Sequence, residues 1–185
     1  MFVDAENAVE NPRVQPGDAL VLRVEAESGL ASESIVAYGW TIIEEPGEST
    51  STLENVSVAQ TSFLVDVAGF YVFGIDVEDS LGNHGACLLE FIAAPREGLH
   101  VQLTWDQPHP SLGLHVVTDL ADWCTEDEIV GVEEEDGFGP ANVNIEAAPD
   151  GRYTVGVSAA DLAGPTTATV KLFVGGGLEP EGFRL

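Results

Sequence analysis

The segment Gly69-Phe70-Tyr71-Val72-Phe73-Gly74-Ile75 returns in outline as Gly151-Arg152-Tyr153-Thr154-Val155-Gly156-Val157. The spacing, roughly 80 residues, is close to the length of one small β-sandwich. A tyrosine just inside a strand, after a turn glycine, is what a sandwich corner uses. The ring is buried and the phenol is tied to nearby backbone. Two such corners predict an all-β chain of two tandem antiparallel β-sandwich domains.

The apolar pattern agrees. Leu20, Leu22, Val24 and Ala26 alternate with Val21, Arg23 and Glu25, the period of a half-buried strand. Val36, Tyr38, Trp40 and Ile42 form a second such face, and Phe63 and Val65 continue the core. Tyr71, Phe73, Ile75 and Val77 supply a central strand, and Cys87, Leu89 and Phe91 share a face of the next. Pro95-Arg96-Glu97-Gly98 is a boundary too short for a long tether. The expected domains are therefore 1–95, whose polar residues 1–13 form a lead-in arm, and 96–185. In the second, Leu99, Val101, Leu103 and Trp105 face inward, with His100, Gln102, Thr104 and Asp106 on the opposite face. Leu114 and Val116 follow, then Val143 and Ile145, then Tyr153, Val155 and Val157, then Ala168, Val170, Leu172 and Val174. The acidic stretch 119–139 reads as a long loop with one helical turn.

Six basic residues against 32 acidic ones leave a formal charge of −26 on 185 residues. That field repels nucleic acid and anionic membrane surfaces over about 8 Å at physiological salt. Cation binding, solubility at high salt and repulsion between copies remain as uses for the charge. No apolar run reaches the roughly 20 residues that span a bilayer, so no membrane insertion is expected. Met1-Phe2-Val3-Asp4 has neither the basic start nor the apolar run of a signal peptide. The expectation is a chain that stays inside or one processed from a longer precursor.

The first half resembles a PKD-type domain, an Ig-like module. The matching pieces are Val14-Gln15-Pro16-Gly17-Asp18, then Ile35-Val36-Ala37-Tyr38-Gly39-Trp40, then Ala68 to Asp79 leading to Gly82-Asn83. The second half resembles modules that follow PKD-type domains in surface proteins and predicted lipoproteins of myxobacteria. It does so through Leu99 to Asp106, Leu112-Gly113-Leu114-His115-Val116, Asp136 to Ile145 and Gly151 to Val157. Where those modules read Asp-Leu-Asp-Leu-His, this chain has Ser111-Leu112-Gly113-Leu114-His115 and lacks two carboxylates. The resemblance implies Ig-like sandwiches in a secreted or surface-anchored accessory module.

Candidate chemistry is sparse. Clustered carboxylates beside a glycine turn suit calcium, which takes six to eight oxygens, and Asp106, Glu135 and Asp136 are the expected ligands. No EF-hand loop is present. In an oxidising compartment Cys87 and Cys124 would form a disulfide between the halves; otherwise Cys87 is a buried thiol and Cys124 an incidental one. His100 and His115 are expected to project from neighbouring strands, a weak basis for a transition-metal site. Phe70, Trp123, Phe138 and Phe173 are candidates for exposed contact aromatics. No nucleophile elbow, zinc-protease motif or phosphate loop occurs, so no enzyme is expected. The chain reads as a non-catalytic extracellular or cell-surface structural or adhesive module, with protein partners or copies of itself, as in a fibre. The alternative is an accessory domain that binds carbohydrate, protein or calcium.

Overall fold

A computed structural model describes residues 2–5, 14–29, 32–96, 98–106, 109–118, 129–137, 139–160, 164–177 and 179–181; for 2–5, 109–111, 118 and 129–137 the backbone alone is described. Every element among them is a strand, and no helix is long and apolar enough to cross a membrane. The chain divides into two compact units, Met1–Ala93 and Ala94–Leu185.

The first unit contains β1 (Phe2–Ala5), β2 (Ala19–Glu25), β3 (Ile35–Glu44), β4 (Gln60–Leu64), β5 (Gly69–Asp79) and β6 (His84–Ala93). They form two antiparallel sheets, β1-β2-β4 and β3-β5-β6. Part of the expected lead-in arm is thus a strand, because Phe2–Ala5 pairs along β2 from Glu25 to Leu22. Leu22, Val24 and Phe63 from one sheet meet Trp40, Tyr71, Phe73 and Ile75 from the other in a single buried cluster. Phe63 and Phe73 pack edge to face at 4.9 Å, and Phe91 stacks on Tyr71 at 5.2 Å. Each such side chain contributes roughly 1.5–3 kcal/mol by leaving water. Trp40 Nε1 donates to the Val58 carbonyl at 2.9 Å, so the segment before β4 is fastened to the core strand.

Two bulges break the alternation read from β3. Ile35 pairs with Asp79 and Ala37 with Glu78, which leaves Val36 as the extra residue, 59% exposed and outside the core where it was expected. Ile42 pairs with Phe73 and Glu44 with Val72, so Ile43 is the second extra residue.

The second unit contains β7 (Leu99–Trp105), β8 (His109–Thr118), β9 (Ile129–Gly137), β10 (Ala141–Ile145), β11 (Tyr153–Ala160) and β12 (Ala168–Val174). Its sheets are β10-β7-β12 and β11-β8-β9. Val101, Leu103, Leu112, Leu114, Val116 and Ala141 form the centre of its core.

Three expectations are corrected here. Ile129–Gly137 is a strand paired with β8, within the stretch read as a loop; residues 119–128 lie outside the described residues. Strand β7 is buried at all seven positions, so His100, Gln102 and Thr104 do not face solvent. Val157 and Val174 are exposed at 44% and 56%, whereas Phe173, expected outside, is 3% exposed. Strand β12 sends Phe173 to the same side as His100, its cross-strand neighbour, while Val174, opposite Leu99 at the strand end, keeps the face of Leu172 and is exposed there.

Candidate functional site

The repeated tyrosine is the first functional group to place. Tyr71, fully buried, donates from its phenol to the Val67 carbonyl at 2.9 Å, with Asp66 Oδ1 3.2 Å away. Burial, and then the charge of Asp66, push its pKa well above the ordinary tyrosine range. Tyr153 makes the same bond, to the Pro149 carbonyl at 2.8 Å. Asp66 was not singled out from the sequence. Its carboxylate, 5% exposed, accepts from Ser49 Oγ at 2.8 Å, Thr50 N at 2.6 Å and Ser51 N at 3.1 Å. A lone carboxylate between the buried Val65 and Val67 was the signal available. An acidic group in such a run survives only if the fold brings it donors.

A cleft of about 530 Å³ opens at one end of the first sandwich, lined among others by Glu25, Glu27, Ser28, Asp79, Asn83 and His84. Asp79 Oδ1 accepts from Leu81 N at 3.0 Å and Asn83 N at 2.9 Å, and Oδ2 accepts from Asn83 Nδ2 at 3.0 Å and Ser28 Oγ at 3.1 Å. The Asn83 side chain first, and its backbone N–H second, hold this carboxyl below the ordinary carboxylate value, while burial opposes them. Asp79 thus folds the β5–β6 turn around itself. That is the physical reason for the Asp79 to Asn83 signature in the sequence.

The expected calcium ligands are not gathered in one loop. Asp106 follows β7, and its Oδ1 accepts from Thr167 N at 3.0 Å. Glu135 and Asp136 lie on β9, in the other sheet of the unit, and only their backbone is described. Among the described residues no group of three or more His, Cys, Asp or Glu is close enough to hold a metal. Cys87 packs against the first core, and burial raises its thiol pKa; Cys124, Trp123 and Phe138 lie outside the described residues.

The two histidines do not pair, since β7 and β8 belong to different sheets. His100, 1% exposed, has Nδ1 2.7 Å from Asn144 Oδ1 directly across on β10 and its ring 5.4 Å from that of Phe173 on β12. Since Asn144 Oδ1 accepts, the Nδ1 proton is in place, and the buried Nε2 has no hydrogen-bond partner among the described residues. Burial lowers the pKa of His100 to about 4. Next to it Gln102 Nε2 donates to Asn142 Oδ1 at 3.2 Å, so the reverse face of β7 is a buried row of amide contacts. His115 Nε2 lies 2.8 Å from Ser158 Oγ across β8 and β11, a contact the sequence reading did not anticipate.

The outward face of β3-β5-β6 has a different character. Register places Phe70 beside Ile92, Gly74 beside Leu88, and Val72 between Glu44 and Glu90. Phe70, Ile43, Leu88 and Ile92 are 40%, 57%, 58% and 51% exposed. The second β3 bulge supplies Ile43, and a Cβ on Gly74 would come within 2.9 Å of Ile43 Cδ1, so Ile43 rests over the bare glycine.

No family model matches the chain, and no curated protein does. Among solved structures it is similar to the solution structure of the PKD domain from KIAA 1837 protein. The identity is 20%, the alignment covers 48% of this chain and 83% of that one, and the TM-score is 0.38.

Proposed function

We propose that this chain is a non-catalytic extracellular or cell-surface module with a structural and adhesive role. The observation that carries the reading is the state of its buried carboxylates. Asp66 accepts hydrogen bonds from Ser49, Thr50 and Ser51 of the β3–β4 connection, and Asp79 from its own β5–β6 turn and from Ser28, so both are committed to holding loops. A general acid or base needs a proton-transfer position open to substrate. The motif resemblance to PKD-type domains supports the extracellular placement. A formal charge of −26 on every copy weighs against a fibre of identical chains and favours a different protein as partner. Antibody labelling of intact source cells tests the location. Labelling equal to that of permeabilised cells is expected, and signal only after permeabilisation would contradict it.

A second reading, an accessory domain that binds carbohydrate, protein or calcium, draws on the cleft beside Asp79. Calcium at Asp106, Glu135 and Asp136 belongs to that second reading.

A further inference from the structure

We propose that the outward face of β3-β5-β6 docks a protein whose contact surface is apolar with lysine or arginine interspersed. The inference rests on the reading of the chain as an adhesive module and names the surface and the partner chemistry.

Three observations converge on it. Phe70, Ile92, Leu88 and Ile43 are exposed together on one face, gathered over three adjoining strands by the β5 and β6 register and by a bulge that adds an apolar residue. Scattered exposed apolar groups are ordinary, whereas several gathered on one face mark a contact surface. The charges among them are of one sign. Glu44, Asp76, Glu78 and Glu90 fall on that face by register, while β3, β5 and β6 contain no lysine or arginine. Gly39, Gly74 and Ala86 on that face carry little or no side chain, and Val72, 6% exposed, lies between the two glutamates. Exposed apolar side chains interleaved with charges of one sign call for a partner of opposite charge, and complementary charge steers encounter. A second copy would bring carboxylates against carboxylates, and an anionic lipid surface or nucleic acid would be repelled in the same way.

A dye-labelled amphipathic peptide of leucine and lysine serves as the probe, read by fluorescence anisotropy against the full chain at about 0.15 M salt. Leu88→Glu/Ile92→Glu adds two carboxylates and removes apolar surface, so simple charge attraction and docking predict opposite signs. Docking at this face requires the double variant to bind at least about tenfold more weakly than the wild type. Leu64→Glu, on β4 of the other sheet, should bind no more weakly than the wild type. Glu44→Gln/Glu90→Gln should weaken binding about threefold and flatten its salt dependence. Thermal midpoints confirm folding, and Leu88→Ser/Ile92→Ser replaces the glutamate pair if that pair fails to fold. Equal or tighter binding by the double variant would overturn the proposal. So would a wild-type dimer in sedimentation that the same variant dissolves. Turnover of a hydrolase substrate by the intact chain would instead defeat the non-catalytic reading and leave this face as it stands.

Discussion

Tyr71 and Tyr153 hold equivalent places in the repeated motif, and each donates to the carbonyl four residues back, Val67 or Pro149. Their surroundings differ. Tyr71 is fully buried, is flanked by Asp66 and belongs to a cluster of Phe63, Phe73 and Phe91. Tyr153 is half-buried at the margin of a core that is aliphatic apart from Trp105, and the position matching Ile75 is Val157, which is 44% exposed. The second unit compensates in β7, where both faces are buried and the reverse face is held by His100, Gln102 and their asparagine partners. One motif can therefore close two sandwiches whose stability comes from different places: an aromatic core in the first, a doubly covered polar strand in the second.

Acid separates the two most strongly. Burial lowers His100 from 6.5 to about 4, so between these values the unfolded chain binds a proton that the folded second unit does not. Stability of that unit is complete above pH 6.5, falls as pH drops towards 4, and levels off below it, a loss of about 3 kcal/mol. In the first unit Asp79 acts in a lower window, losing its contribution only as pH falls below 3.8 through its lowered value. Amide exchange at pH 7 and pH 4.5 should show the second unit loosening first. His100→Gln should abolish that difference, and equal loosening of both units would break the comparison.

The tyrosines come next in size. Tyr71→Phe leaves Val67 O and Asp66 Oδ1 short of a buried donor and should cost about 2 kcal/mol in a denaturant melt. Tyr153→Phe, where water can replace the phenol, should cost less than about 1 kcal/mol. The smallest contrast is between the motif glycines. Gly69 has φ of 148° and a Cβ there would meet Pro46 Cγ at 2.6 Å, whereas Gly151 has open space. Gly69→Ala should cost about 1 kcal/mol or more and Gly151→Ala close to nothing, by the same melt.

Much of this was legible because alternation reports a sheet whose one face is wet. Leu22 and Val24, then Tyr71, Phe73, Ile75 and Val77, are buried as their spacing required, and both tyrosines tie to backbone. The reading failed where polar residues are buried with partners from distant sequence. His100 and Gln102 alternate with apolar residues as solvent-facing groups would, and only Asn144 and Asn142 across the ladder reveal their burial. It failed again at β9, where Glu133, Glu134, Glu135 and Asp136 suppress any strand signal although β8 pairs alongside. Bulges were invisible too, since one inserted residue leaves Val36 looking like a core position in the linear pattern. Of the candidate sites, Asp79 was visible within a motif, but Asp66 and the outward face of β3-β5-β6 depend on register that no local pattern carries.

Two cores, each fastened by its own phenol, make one demand that a shared core does not. Native-state amide exchange on Tyr71→Phe should speed exchange in β2 to β6 and leave β7 to β12 at wild-type rates, and Tyr153→Phe should do the reverse. If either substitution accelerates exchange equally across both sets of strands, the chain has one cooperative core and the description of two separate sandwiches is wrong.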